Sequence, residues 1–190
     1  YGPIDGLLDD VKLYNRGLSQ QEIQDLINGG NNPPTITSAT NVNAAENQTD
    51  VIDVEATDDN DSEGAGLTYS LTGGADSAAF SIDVDNGVLT FAAAPDFENP
   101  TDANADNVYE VQVTVTDSGG LTDVQDVSVT VTDVNEAPTI TSAAAVNAEE
   151  NQTGATDVES TDPEGETEGA GLTYSLTGGA DSAAFSIDVD

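Results

Sequence analysis

The strongest constraint on this chain is that it repeats itself. PTITSATNVNAAENQT at positions 34–49 returns as PTITSAAAVNAEENQT at 138–153, an offset of 104 residues. EGAGLTYSLTGGADSAAFSIDVD at 63–85 returns unchanged at 168–190, an offset of 105. The one added residue falls in the acidic loop between the two blocks. A period this long is that of a small domain rather than of a short solenoid unit. The first copy runs on for about fifty residues past its second block, whereas the second copy reaches Asp190 at the end of it. Together with a first residue, Tyr1, that is not Met, this reads as a fragment. Three segments are expected: a remnant of an upstream domain at 1–29, a complete repeat at 30–137 and a truncated repeat at 138–190.

Within 30–137, apolar and polar residues alternate at Ile52, Val54 and Ala56, at Leu67, Tyr69 and Leu71, and at Phe80, Ile82 and Val84. They alternate again at Val111, Val113 and Val115 and at Val127, Val129 and Val131. This is the period of strands with one buried face. Leu89 and Phe91 follow the turn Asp85-Asn86-Gly87, whose glycine accepts a positive φ. With Ile36 in front, seven short strands fit into about 100 residues without helical periodicity. The expected class is all-β, an Ig-like Greek-key β-sandwich. Val124 is out of phase with Val127, which predicts a bulge near Gln125 and Asp126. Residues 1–29 differ. Ser19 and Glu22 form a capping box, Leu18 and Ile23 occupy staple positions, and Gly29 is a stop. A helix is predicted from about Gln20 to Asn28, after a strand around Leu8 to Tyr14.

Charge narrows the function. Thirty-seven Asp and Glu face two cations, Lys12 and Arg16, so residues 30–190 hold 32 acids and no base. Nucleic acid and anionic membrane surfaces are excluded as partners, because binding them requires cations. No apolar run approaches the ~18 residues of a membrane span. The absence of Cys and His removes disulfides, thiolate and imidazole metal sites, and every mechanism that uses those side chains. What remains is a surplus of carboxylate and amide oxygen, the donor set of calcium, which takes about six to eight oxygens. No single loop supplies them. DDNDSEG at 58–64 opens like an EF-hand, but Ser70 stands where the bidentate Glu belongs. Ligands must converge from several loops, and a sandwich gathers its loops at its two ends. VTVTDVNEAPTIT, residues 129–141, places Asp133, Asn135 and Glu136 between one strand and the next. The same slot one repeat earlier, NGGNNPP at 28–34, has no carboxylate, so a linker here does not need one. Asp83 and Asp85 read as hairpin residues, and Asp102 and Asp106 as loop solvation. Asp117, before Ser-Gly-Gly, reads either as a turn former or as a ligand.

Residues 34–137 resemble a bacterial cadherin-like repeat. The resemblance rests on AEN (45–47), TDDND (57–61), LTYSL (67–71), FSIDVDNGVLT (80–90), DFE (96–98), VTVTDSGG (113–120) and TDVNEAP (132–138), in order and at family spacing. IDGLLDDVKLYNRGLSQQEI (4–23) resembles the closing strand and helix of a laminin-G or concanavalin-A-like lectin domain. The cadherin resemblance implies a calcium cluster at the junction of two repeats. Its ligands would be Glu46, Asp96 and Glu98 from the first repeat, Asp133, Asn135 and Glu136 from the linker, and Asp162 and Glu164 from the second. A smaller set, Asp58, Asn60 and Asp117, would face the preceding junction, where the missing linker carboxylates predict weak or absent calcium. The family usually has Asp in place of Glu136 and a second Asp in place of Glu164. NEAP is also one residue short of the family linker, which would move its carbonyl ligand to Ala137.

The resemblance implies a non-enzymatic, calcium-dependent cell-adhesion or spacer module of a large bacterial surface or secreted protein. Its partners would be calcium and, for homophilic or glycan-directed adhesion, another adhesin molecule or a surface glycan. It would be extracellular, secreted or membrane-anchored through parts outside these residues. The alternative is a carbohydrate-binding or accessory region of a polysaccharide-degrading extracellular enzyme. Paired carboxylates can hydrolyse glycosides, but the acids here fall in loops and junctions, and there is no Trp.

Overall fold

The computed structural model describes residues 13–27 and 30–188. Between residues 30 and 137 the alternating segments form two sheets and a strand pair. One sheet has four strands in the order β2 (Asn41–Ala45), β9 (Thr122–Thr132), β8 (Val108–Thr116), β5 (Thr68–Gly73). The other has three, in the order β3 (Asp50–Asp53), β7 (Val88–Phe91), β6 (Phe80–Ile82). β1 (Thr35–Ile36) pairs with β4 (Ala56–Thr57). The fold is the expected all-β sandwich. Its core is the inward face of the alternating strands: Val54, Leu67, Tyr69, Leu89, Tyr109, Val111, Val113, Val115, Val127, Val129 and Val131 are almost completely buried. Three aromatics lock the two sheets together. Phe80 stacks on Phe91 at 4.7 Å, and Tyr109 meets their edges at 6.2 and 5.2 Å.

The structure departs from the sequence reading in four places. β2 was not foreseen. Val42 and Ala44 form too weak an apolar alternation to mark it, and it exists because it pairs in parallel with β9, more than eighty residues away. The expected strand through Ile52, Val54 and Ala56 is two strands, with the Val54 N–H turned to the Gly87 carbonyl at 3.1 Å. The expected bulge at Gln125 and Asp126 is absent. β8 and β9 keep one register from Val108↔Thr130 to Thr116↔Thr122. The phase break marks inward polar groups instead: Asp123 Oδ2 accepts the Ile36 N–H at 2.9 Å, and the Gln125 amide donates to the Ser38 carbonyl at 3.2 Å. They satisfy backbone at β1, where a valine could not.

Asp102 is the fourth departure. It is buried rather than solvated. Its carboxylate accepts the N–H groups of Asn104, Asp106 and Asn107 at 3.1, 3.2 and 2.9 Å. This holds a loop in which Ala105 and Asn107 adopt φ of 57° and 63°. Burial pushes the carboxyl up, but the converging N–H groups outweigh it and hold it below the usual range. Asp102→Ala should lower the unfolding free energy by about 2 kcal/mol in a urea titration, because it strands these donors. An unchanged midpoint would show that water replaces the carboxylate.

Helix α1 (Gln20–Ile27) has the expected reciprocal cap: Glu22 Oε2 accepts the Ser19 N–H at 2.8 Å, and Ser19 Oγ accepts the Glu22 N–H at 3.2 Å. Arg16 grips the same carboxylate and, with Ser19, holds Glu22 down at about 2. Of the strand expected around residues 8–14, positions 8–12 lie outside the described residues, as does Gly29, and Leu13 and Tyr14 belong to no strand. Among the described residues no helix is long and apolar enough to cross a membrane.

Residues 138–188 keep only part of this architecture. β10 (Thr139–Ile140) pairs with β11 (Ser160–Thr161) in the register of β1 and β4, and β12 (Thr167–Glu168) pairs with β13 (Gly171–Leu172). Among the described residues of this segment, Leu172 is the one buried hydrophobic residue.

Candidate metal centre

The parallel pairing of β2 with β9 decides where the acids meet. Ala45 lies opposite Thr132, so the chain leaves β2 at Glu46 beside the point where it leaves β9 at Asp133. Glu46, only 2% exposed, is fastened there. Its Oε2 accepts the Phe97 N–H and its Oε1 the Val134 N–H, both at 2.8 Å. One carboxylate thus ties the loop carrying Asp96 and Glu98 to the segment carrying Asp133 to Glu136. Oxygens of Glu46, Glu98 and Asp133 lie within 4.8 Å of one another. Burial, then the charges of Glu46, Asp133 and Asp96, push the Glu98 carboxyl up.

A second group of acids adjoins the first. Glu46, Asp96, Glu98, Glu136 and Asp162 line one cleft of about 570 Å³. Glu164 reaches back to it: its Oε1 accepts the Glu136 N–H at 2.5 Å. Glu136 Oε1 accepts the Asn47 amide, while Glu136 Oε2, Asp162 Oδ1 and Glu164 Oε2 are shielded from solvent and receive no hydrogen bond. Orphaned carboxylate oxygens, with Glu136 and Asp162 lining this cleft and Glu164 beside it, fit a hard cation. Burial, the Glu46 charge and Glu164 push Glu136 up, with Asn47 partly offsetting them. Asp162 is pushed up chiefly because a proton shared with Glu164 would bridge the two carboxylates. Glu164 is held down by the N–H of Glu136.

Two of the expected ligands are placed differently from the rest. Asn135 is exposed, and its amide donates to the Glu136 carbonyl at 3.0 Å rather than joining the acids. Asp96 lines the cleft while bonding Asn99, whose N–H it accepts at 3.0 Å. Asn47, part of the AEN motif but not among the expected ligands, sits at a φ of 60° and presents its amide to Glu136. Its one sequence signal was being an Asn, a residue that tolerates this backbone, directly after Glu46.

The smaller set meets at the other end. Asn31 links its members: it donates to Asp117 Oδ2 at 2.7 Å and accepts from the Asn60 amide at 3.5 Å. Asp58 Oδ1 accepts the Asn60 and Asp61 N–H groups, each at 2.8 Å. Asp117 does shape its turn, since Oδ1 accepts the Leu121 N–H at 2.8 Å. Here the linker contributes amides that pair with Asp117 and Asp59, while Asp58 Oδ2 is shielded and receives no hydrogen bond.

The pH dependence follows from the signs. Glu98, Glu136 and Asp162 bind protons more readily folded than unfolded, so without divalent cations stability should rise as pH falls towards the carboxylate range. Asp102 and Glu164 act oppositely: their contribution is present above about pH 4 and lost as pH falls through their depressed values. Chelator-treated protein should therefore be most stable at mildly acid pH. Urea melts from about pH 7 down to about pH 4 would expose the idea as wrong if stability fell monotonically.

Known proteins resemble this chain in sequence or fold. Residues 39–132 match the family described as Cadherin domain. Halomucin of Haloquadratum walsbyi is 41% identical over 75 residues, which cover 37% of this chain and 1% of that protein. Among solved structures, Drosophila N-cadherin EC1-4 superposes with a TM-score of 0.49 at 27% identity, over 75% of this chain and 36% of that one. The protocadherin GammaB4 extracellular domain gives 0.46 at 24%, over 79% and 24%. The chain thus spans a small part of each relative's length.

Proposed function

We propose that residues 30–137 form a complete cadherin-like repeat and that residues 138–190 begin a second. The junction between them is a calcium site that sets the angle between repeats in an extracellular adhesion or spacer protein. The observation that carries this reading is the orphaned oxygens of Glu136, Asp162 and Glu164 beside the Glu46–Glu98–Asp133 cluster. Glu46, Glu98, Asp133, Glu136, Asp162 and Glu164 would hold the cation, with Asp96 exchanging its Asn99 contacts for it. Asn135 would serve by fixing the Glu136 carbonyl. Calcium would supply charge neutralisation, and these residues would supply its position. Asp58, Asn60 and Asp117 form a weaker site at most, because Asn31 and Asn32 already hydrogen-bond Asp117 and Asp59. Residues 1–29 are the tail of a laminin-G-like domain. The match to Cadherin domain supports an adhesion module, with calcium and a second adhesin copy or a surface glycan as partners.

Extracellular modules hold calcium with dissociation constants of about 10⁻⁴–10⁻³ M. At millimolar calcium each site then adds roughly 1 kcal/mol, a rise in Tm of about 4–8 °C for a domain this size. Calcium should also bring residues 138–188 into a fixed orientation, read as a narrower distance distribution between spin labels on the two repeats. A Tm and a distribution indifferent to calcium would dispose of the proposal.

A further inference from the structure

All but one of the polar groups of Asn107 are paired. Its N–H donates to Asp102 Oδ2 at 2.9 Å, and its carbonyl accepts the Val131 N–H at 2.8 Å. Its side-chain Nδ2 donates to the Phe97 carbonyl at 2.9 Å. The exception is Oδ1, which is shielded from solvent and has no hydrogen-bond partner. The backbone here is left-handed, with a φ of 63°, a conformation that Asn accepts more readily than most residues. A shielded acceptor without a donor is rare in a folded chain and calls for a reason.

The reason lies in where these bonds lead. Phe97 stands between Asp96 and Glu98, with its ring packed against the core. Its N–H is held by Glu46 and its carbonyl by Asn107. Peptide groups are planar, so the two bonds fix the peptide planes on both sides of Phe97. The second of those planes leads directly into Glu98. The Asn107 carbonyl reaches β9 at Val131, two positions before Asp133. One residue therefore braces the Glu98 loop against the strand that delivers Asp133. The brace acts against a load, because the carboxylates of Glu46, Glu98 and Asp133, with oxygens within 4.8 Å of one another, repel. A neutral amide suits this place. A lysine or arginine would occupy the carboxylates itself, and an aspartate would add to the repulsion.

We infer that Asn107 is a positioning residue of the metal centre, setting the peptide before Glu98 and keeping Oδ1 free to accept from a water on the bound cation. The inference rests on the calcium reading above. Groups behind the ligands commonly govern metal affinity by about 10–100-fold. Ionised carboxylates only accept, so the neighbouring acids offer Oδ1 no donor, whereas a water held by a cation does.

The test uses the whole chain, with Asn107→Gly and Asn104→Gly made separately. Glycine takes a positive φ without strain, so the backbone bonds to Asp102 and Val131 remain. Asn104 belongs to the same loop, but its amide donates to Asp106 Oδ2 at 3.0 Å, away from the acidic cluster. Titration with calcium chloride should show Asn107→Gly binding about tenfold more weakly than wild type, and Asn104→Gly binding as wild type does. In chelator, the Phe97 amide should exchange faster in Asn107→Gly while the β8 amides keep their wild-type rates, a local loosening rather than a loss of stability. In the wild type, calcium should shift the side-chain amide resonances of Asn107 and leave those of Asn104 in place. Wild-type calcium affinity in Asn107→Gly would overturn the inference and leave the calcium reading standing. Equal losses in both variants would also overturn it, since the loop as a whole would then govern the site. A wild-type chain that binds no calcium would overturn both.

Discussion

If the acids at the junction hold calcium, Glu46→Gln should remove the calcium response of residues 30–137, and it should weaken the fold in chelator as well. The two losses have different sources. In chelator, the carboxylate accepts from both Phe97 and Val134. An amide has one acceptor oxygen, so it must turn N–H against N–H at one of them. A buried donor left without a partner costs about 1–3 kcal/mol. Removing a negative charge beside Glu98 and Asp133 offsets part of this, since like charges at this separation repel. In calcium the offset disappears. On the proposed reading the wild-type acids would gain the cation and the variant would lose a ligand, so the gap should widen by roughly 1 kcal/mol for each site lost. Glu98→Gln separates the effects, because Glu98 is half-exposed and already pushed up by its neighbours. It should keep or slightly raise stability in chelator and still lose the calcium response. Calorimetry of the three proteins, with and without calcium, reads all of this. If all three Tm values rise in parallel on adding calcium, Glu46 and Glu98 are not ligands.

How much of this could be read from the chain depends on how far away each residue's partner lies. Val111, Val113 and Val115 announce a strand because burial on one face leaves its mark every second residue. Ser19 and Glu22 announce a helix start because each satisfies the other three positions away. Glu46 stood out because a Glu between Ala45 and Asn47 has no local use, and its partners in the structure, the Phe97 and Val134 N–H groups, lie 51 and 88 positions away. By contrast, β2 exists only through β9, and Gln125 broke the apolar phase for the sake of Ser38, a partner 87 positions distant. Nothing near either residue signals such a bond. Asp102 was misread for the opposite reason. Its partners are local, but a ring of backbone N–H groups around a carboxylate leaves no trace in composition. Asn135 matched a motif whose geometry depends on linker length, and this linker is one residue short. The sequence points to calcium through donor chemistry, while the arrangement of donors is a property of the two strand ends that β2 and β9 bring together.

Tyr109→Ala should cost the first copy about 3–5 kcal/mol, as loss of a large buried ring does. Tyr109 is 1% exposed, meets both Phe80 and Phe91 edge-on, and accepts the Thr101 N–H on its hydroxyl at 3.2 Å. A domain of this size has a total stability of about 5–15 kcal/mol, so the variant is left marginal. Tyr109→Phe keeps the ring pairings and gives up only the hydroxyl contacts, a loss nearer 1 kcal/mol. Urea unfolding in chelator separates the two, and a Tyr109→Ala value within about 1 kcal/mol of wild type would contradict the packing argument. The sandwich and the metal centre should fail together. Asp96 and Glu98 follow β7 and Asp133 follows β9, so the acids are gathered only while the aromatic cluster holds those strands in place. A cation held only by the gathered acids of the folded state should raise the marginal variant's midpoint by the same free energy as the wild type's. At a fixed urea concentration near that midpoint, calcium then acts as a folding switch. The chelated variant should show Phe80 exposed and the β5 amides exchanging. Phe185, whose copy lacks counterparts of Phe91 and Tyr109 among the described residues, is already in that condition.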